Sequence, residues 1–597
     1  MCGFAGVLSE RLSFEHGARV LETLSHRGPD GGGEFVAPGI WLGHRRLSVI
    51  DLSEAGAQPM RDPSAGTIVF NGELYDHVEH RKRLQALGER FLTTSDTEVL
   101  LRGLAREGHA FLEGLHGMYA FAWLSPDGRK FMLGRDHAGM KPLYYRQRGS
   151  LLAFASEVRT LGTLLRTLDE PVRVDSSALA GFMSLGSVPE PHTVLNDVRM
   201  LPAGTVLELD PRSPAHSRIR HVSPRTVADA VVPAVRRAVQ RHLVSDRPVA
   251  VFLSSGLDSG VLAAEVADLP GVSPTAISVN LGTRGAEDEP ALVGSLCSRL
   301  GLPLHIVELT DWKDRLRSVW DAFDQPSVDG MNTFIISSAA RELGFPVALS
   351  GVGADEVFGG YPHLRWHDRF GPTLTRAGRF GGRHAAAALV RAKQPSLRRA
   401  GLVLDAAARR TPVQAAWRHL LPHRQVLRLF RDIRPASSSV DERDVLAFER
   451  GTYLRDTLLR DTDVMGMAHG LEIRAPFLDP DVLAAAGKVG TDALLAKQAA
   501  PKWPLREGWG RVLELETLRR RKSGFVLDIA SWLKERELER FFDAISSLEN
   551  RKALHRPTLV ELARRARTEL DSPRPTAWVT AFSLIQLARA FETWGDP

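Results

Sequence analysis

Met1-Cys2-Gly3-Phe4-Ala5-Gly6 opens the chain, and the cysteine at its second position decides how the first half is read. Aminopeptidases remove an initiator methionine when the next side chain is small, so Cys2 is expected to become the mature N-terminus. A cysteine there carries a thiol nucleophile and a free α-amine on one residue. The amine has a pKa near ~8 against ~8.5 for the thiol, so it can take the thiol proton near neutral pH. Nucleophile and base then need no distant partner, and the site can be built on a strand at the very start of a domain.

The segments behind Cys2 sharpen the reading. Ser25-His26-Arg27-Gly28-Pro29-Asp30-Gly31 is a turn-rich loop, and Gly43-His44-Arg45-Arg46-Leu47-Ser48-Val49-Ile50 reads as a charged stretch beside an apolar strand. Ile68-Val69-Phe70-Asn71-Gly72-Glu73-Leu74-Tyr75 is a strand running into Asn-Gly, a turn signature. Ser95-Asp96-Thr97-Glu98 ahead of Val99-Leu100-Leu101 has the layout of a capped helix start. Each alone is an ordinary turn or cap. In this order behind Cys2 they resemble the glutaminase domain of the class II glutamine amidotransferases, which are N-terminal nucleophile hydrolases.

That resemblance implies roles one residue at a time. Cys2 attacks the side-chain amide of L-glutamine, while Asn71 and Gly72 form the oxyanion hole. Arg46 clamps the glutamine α-carboxylate with a bidentate fork. Asp96 pairs with the α-ammonium, and Glu73 is a further substrate contact.

A second signature lies downstream. Pro248-Val249-Ala250-Val251-Phe252-Leu253 is a short apolar run of the kind that forms a buried parallel strand, and it enters Ser254-Ser255-Gly256-Leu257-Asp258-Ser259-Gly260 and then a helical pattern. Strand, small-residue loop and helix N-terminus make an anion site from backbone N–H groups and the helix dipole. No GxxxxGK[ST] is present, so a Walker-type site is not indicated. The loop is instead similar to the pyrophosphate loop of the ATP pyrophosphatases, with Ser255 where most members have glycine. Thr275–Val279, Val347–Tyr361 and Met465–Asp479 extend the likeness, and from Cys2 to about Trp532 the chain resembles the asparagine synthetase family.

The resemblance implies amide synthesis from ATP with Mg²⁺. Asp258 and Asp355 are the implied metal ligands. Ser254, Gly256 and Ser259 hold pyrophosphate, Ser350 and Gly351 lie against the nucleotide, and Leu253 and Val279 contact adenine or ribose. Lys522, in Arg519-Arg520-Arg521-Lys522, takes the place of the family's essential lysine. One departure is chemical: where asparagine synthetases proper have Ser-Gly-Glu-Gly, this chain has Val352 in place of the acidic residue. L-aspartate is the first expected acceptor. A larger carboxylate (a natural-product, peptide or sugar-acid intermediate) is the alternative, and a catalytically silent regulatory homologue is a second one.

The expected fold class is α/β with two domains. An N-terminal nucleophile hydrolase α/β/β/α sandwich over 2–166 is followed by a linker region over 167–224. A doubly wound parallel-sheet ATP-pyrophosphatase domain with a helical C-terminal part then fills 225–597. With 597 residues, 43% hydrophobic and 25% charged, the composition is that of a multidomain globular protein. No signal segment and no apolar run of about 18 residues is read, so no membrane partner is expected. Only Cys2 and Cys297 are present. A disulfide between them would consume the nucleophile, so a reducing cytoplasm is the expected compartment.

The net charge of +6 is driven by arginine, concentrated in a basic helical insert at about 365–434. No zinc-finger, RRM or KH pattern accompanies it, so no nucleic-acid partner is expected. A solvated insert is the first reading and an acidic carrier-protein partner the second, with a homodimer the remaining partner expectation.

Overall fold

The computed structural model describes residues 2–9, 15–227, 229–269, 274–281, 289–379, 386, 388–389, 395–408, 414, 416, 418–437, 444–513, 527–572, 574 and 576–597. Twelve strands form its first half: β1 (Cys2–Leu8), β2 (Gly31–Ala37), β3 (Ile40–Arg46), β4 (Met60–Asp62), β5 (Gly66–Leu74), β6 (Gly117–Leu124), β7 (Phe131–Arg135), β8 (Tyr144–Arg148), β9 (Leu151–Ala155), β10 (Arg199–Met200), β11 (Thr205–Leu209) and β12 (Ser217–His221). They pair antiparallel in two six-stranded sheets, in the orders β10-β8-β9-β1-β3-β2 and β12-β11-β7-β6-β5-β4.

Alternation explains the sandwich. Phe4 and Leu8 of β1, Leu42 of β3 and Phe154 of β9 meet Val69 of β5, Ala120 of β6 and Leu133 of β7 in one buried cluster between the sheets. The neighbouring residues in each strand face outward. Ala5, Val7 and Trp41 pack on the helices Gly17–Glu22, Val158–Thr167 and Ser176–Leu185. Phe70, Phe121 and Met132 pack on the helix Asp96–Glu107. Helix, sheet, sheet, helix is the expected layering, and β1 lies inside its sheet between β9 and β3.

The 167–224 stretch differs from the expected linker. β11 pairs with β7 over Thr205–Leu209, and β12 pairs with β11, so this segment completes the second sheet. Burial of Val206, Leu207 and Leu209 is the physical cause. Their cost of exposure draws the segment onto the open edge of β7.

The second half is built on a five-stranded parallel sheet of β13 (Val249–Phe252), β14 (Thr275–Asn280), β15 (Leu304–Glu308), β16 (Val347–Leu349) and β17 (Glu472–Arg474). Its order is β15-β14-β13-β16-β17. The chain leaves β13 toward one edge and returns through β16 on the other side. The gap between β13 and β16 is thus the topological switch point, where open parallel sheets bind ligands. Helices close the chain, including Leu538–Glu549, Arg556–Leu570 and Val579–Trp594. Trp594 packs where a Cβ on Gly162 would stand, so the C-terminal helices clamp the first sheet's helical layer. Within the basic 365–434 region the described elements are helical: Pro362–Arg379, Pro395–Ala408 and His423–Leu429. No described helix is long and apolar enough to cross a membrane.

Candidate active sites

β1 delivers Cys2 to the first site. Its backbone N–H donates to Asn71 Oδ1 at 3.0 Å, and Cys2 opposes Arg46 across the β1–β3 ladder, which puts both side chains on one face. The thiol is buried, and burial pushes its pKa up. The Leu47 N–H and the Arg46 guanidinium oppose that rise.

Asn71 and Gly72 lie in β5. Asn71 is fully buried and spends its oxygen on Cys2, while its Nδ2 has no hydrogen-bond partner. A buried amide donor left open beside a nucleophile is costly unless a ligand oxygen uses it. Gly72 is required by packing, since a Cβ there would fall 2.1 Å from the Met118 carbonyl oxygen.

Arg46 is held by carbonyls of the following loop, donating to Ser53 O at 2.7 Å and to Asp51 O. With a longer contact to Ile50 O at 3.4 Å, at most three of its five N–H donors are spent on these carbonyls, which leaves capacity for a carboxylate. Asp96 starts the helix capped by Ser95 and accepts the Leu74 N–H at 3.0 Å, tying that helix to the end of β5. Glu73 is buried beside it. Burial and the carboxylates of Asp96 and Glu472 hold its pKa well above the usual range, opposed by Arg474. Its Oε2 accepts from Arg474 Nη2 at 3.3 Å and its Oε1 is unpartnered. The structure therefore gathers all six expected residues of this site.

Arg474 belongs to β17, in the other half of the chain. It donates to Glu472 at 2.6 Å and to the carbonyls of His242 and Val244, and its own carbonyl accepts the Ser350 N–H at 2.8 Å. A second bridge runs beside it: Arg27 donates to the Cys2 carbonyl, to Glu157 and to Asp463, and Lys141 also reaches Asp463 at 3.1 Å. These groups are buried; Arg27 and Arg474 also pair with Glu157 and Glu472 of their own halves, while Lys141 and Glu73 meet Asp463 and Arg474 across the contact between the halves.

The second site lies at the switch point. Leu253 follows β13 and donates its N–H to Ile277 O, with Val279 half-buried on the adjacent β14. The loop is folded on itself: Ser254 N–H donates to Ser259 Oγ at 3.1 Å and Gly256 N–H to Ser254 Oγ at 3.3 Å. Ser255, the substituted glycine, is accommodated by Glu289, whose carboxylate accepts both its N–H and its hydroxyl at 2.6 Å. Gly256 caps the helix Leu257–Ala267, whose first turn carries Asp258. The loop after β16 closes against it. A Cβ on Gly351 would come within 3.0 Å of Asp258 Cβ, and Ser350 Oγ accepts the Val352 N–H at 3.4 Å.

Asp258 and Asp355 converge on one cation. Lys502 Nζ stands 2.7 and 2.6 Å from the two Asp258 oxygens and 2.5 Å from Asp355 Oδ1. An all-oxygen donor pair already gathered around a positive charge fits a hard divalent ion such as Mg²⁺. Beside Asp355, Glu356 is buried and accepts from the Tyr361 hydroxyl at 2.6 Å. Burial and the Asp355 charge push its pKa up to about 7. Lys522, expected here, lies outside the described residues. Lys502 and Arg474 are the site residues that sequence reasoning missed. Arg474 stood inside a quoted motif, but nothing local marked Lys502. The two cysteines are free, and burial pushes the Cys297 thiol up to about 11.

Two known families match the chain in succession. Residues 1–218 match the family described as glutamine amidotransferase domain, and residues 230–595 match the family described as asparagine synthase. Asparagine synthetase [glutamine-hydrolyzing] 1 of Bacillus subtilis is 30% identical over 598 residues, covering 94% of this chain and 92% of that one. Asparagine synthetase [glutamine-hydrolyzing] 3 of the same organism is 31% identical over 62% of this chain and 64% of its own length. A Penicillium rubens protein named amidase chyE is 30% identical over 58% of this chain and 55% of its own.

Proposed function

Because the chain belongs to the asparagine synthetase family, we propose that it converts L-aspartate to L-asparagine through an acyl-adenylate, using ammonia freed from glutamine at Cys2. That it is a glutamine-dependent amide ligase of this type follows from the family; the acceptor and the chemistry of each step are the proposal. The observation that carries it is that one chain holds a buried Cys2–Asn71 site and an Asp258–Asp355 carboxylate pair, linked through Arg474, which donates to Glu73 and accepts from Ser350.

In this reading the Cys2 thiol attacks the glutamine amide carbon, and its proton passes to the α-amine freed by removal of Met1. The amide oxygen gains negative charge within reach of Asn71 Nδ2 and the Gly72 N–H. Arg46 holds the α-carboxylate, Asp96 pairs with the α-ammonium, and Glu73 is a further substrate contact. Collapse of the adduct expels ammonia, and water then releases glutamate. At the second site the acceptor carboxylate attacks the α-phosphorus of ATP and pyrophosphate leaves. A divalent cation between Asp258 and Asp355 would offset phosphate charge. Ammonia displaces AMP.

Asn71→Ala tests the oxyanion assignment. Losing one donor of this kind costs ~100- to ~1000-fold in kcat, so glutaminase turnover should fall by that factor with KM little changed. A fall in KM-dependent binding alone would place Asn71 elsewhere.

The acceptor is tested by pyrophosphate release from MgATP and glutamine with aspartate as sole acceptor, with asparagine followed by mass spectrometry. Aspartate-dependent release is the expected result. Glutaminase activity without it would favour the second reading, a larger carboxylate. Val352 is the feature that favours it, since its side chain neither hydrogen-bonds nor carries charge.

A further inference from the structure

Lys502 occupies a position that its surroundings do not require of a structural lysine. Its backbone is left-handed, φ 54° and ψ 39°, just ahead of the helix Trp503–Trp509. Non-glycine residues adopt that region at a cost that persists only where the fold or a function enforces it. The side chain is buried and ends on three carboxylate oxygens at 2.5–2.7 Å. Space for it is kept by Gly360, where a Cβ would fall 2.2 Å from Lys502 Cε and 1.8 Å from Asp355 Oδ1.

An ammonium is a compact charge on a flexible four-carbon stem, able to exchange partners without moving the backbone. Asp258 and Asp355 would repel each other if no cation stood between them. A divalent ion coordinated by both must take the place that the ammonium now fills. The nearest anion then open to the displaced Nζ is the nucleotide, since Asp258 lies in the first turn behind the Ser254–Gly256 loop.

We propose that Lys502 is the resident counter-ion of the Asp258–Asp355 pair, displaced by the divalent metal onto the polyphosphate of the incoming nucleotide. Metal and lysine thus exchange one set of oxygens for another. The metal-free carboxylate pair stays organised by the ammonium, and the cation count of the site rises only when phosphate charge is present. This rests on the reading of the second site as an ATP site.

The test is Mn²⁺ binding to the nucleotide-free full chain by EPR titration, in wild type, Lys502→Met and Lys502→Ala. Without its competitor the pair should bind Mn²⁺ at least ten times more tightly, while pyrophosphate release falls at least a hundredfold for want of the ammonium on the phosphates. Unchanged or weaker Mn²⁺ binding would overturn the proposal. Tighter binding with unimpaired pyrophosphate release would overturn the transfer to phosphate. Should circular-dichroism melting show that neither variant folds, the wild type decides. A non-hydrolysable ATP analogue should tighten its Mn²⁺ binding at least tenfold, and equal affinity with and without the analogue refutes the exchange. Metal binding is read without turnover, so absent pyrophosphate release in wild type would sink the functional reading and leave the lysine assignment standing or falling by EPR.

Discussion

Cys2→Ala is expected to reduce glutamate release from glutamine to background. Deleting the nucleophile of an enzyme that works through a covalent intermediate costs on the order of a million-fold in kcat, and no other group of the first site can replace it. Cys297, the other cysteine, lies on the helix Glu289–Leu300 and has its thiol held protonated by burial. The same variant should keep whatever amidation it shows with added ammonium chloride, because the second site holds none of the first site's residues. Glutamate release that survives the substitution would refute the assignment. A pH profile refines the prediction. Since burial raises the thiol pKa, little thiolate exists at neutrality and a base is needed. The α-amine accepts a proton only when neutral, so kcat/KM for glutamine should climb as pH rises through about 8. A mutant retaining Met1 should lose that limb together with most of its activity.

The second large effect is expected at the other site. Asp258→Ala should lower pyrophosphate release by ~1000-fold or more, because a metal that offsets phosphate charge contributes several kcal/mol to the transition state. Glutamine hydrolysis should remain within a few-fold of wild type. The Asp258 carboxylate accepts from Lys502, which is not a glutamine-site residue. Both activities are measured on one preparation, by pyrophosphate and by glutamate release. Equal loss of both would contradict two separable chemistries and point to a folding defect or to a single composite site.

Local strings made much of this visible beforehand. A short apolar strand starting at Cys2, the Asn71-Gly72 pair and the small-residue loop after Phe252 each carry their chemistry within a few consecutive residues, although Asn71-Gly72 read as a turn and instead lie inside β5, paired with Ala120 and Tyr119 of β6. Alternation, turn preference and the anion affinity of a helix N-terminus marked these segments, and the resemblance to a known family assigned their roles. What stayed hidden was non-local. Val206-Leu207-Glu208-Leu209 reads as a strand, but its partner, β7, is about seventy residues earlier, near Arg135, so the segment passed for a linker. Lys502 reaches Asp258 across 244 positions and Arg474 reaches Glu73 across 401. No spacing rule joins residues so far apart, and each pairing exists only because the sheet order brings strand ends together. Ser255 was a departure that structure resolves: Glu289 takes both of its donors, a contact that no single-residue comparison could supply.

The buried bridge from Glu73 to Arg474 bears on how such proteins can be recombined. By sequence the two halves separate cleanly near residue 218, which invites excision of the glutaminase or its transplantation onto another synthetase. Electrostatics forbids the cut. An isolated first half would carry Glu73 without its guanidinium, and Arg27 and Lys141 without Asp463. Arg27 keeps Glu157 in its own half, so Glu73 and Lys141 are the groups that lose their counter-charge. A viable chimera must therefore import positions 463 and 474 together with the glutaminase, so the unit that evolution or an engineer can move is larger than the domain.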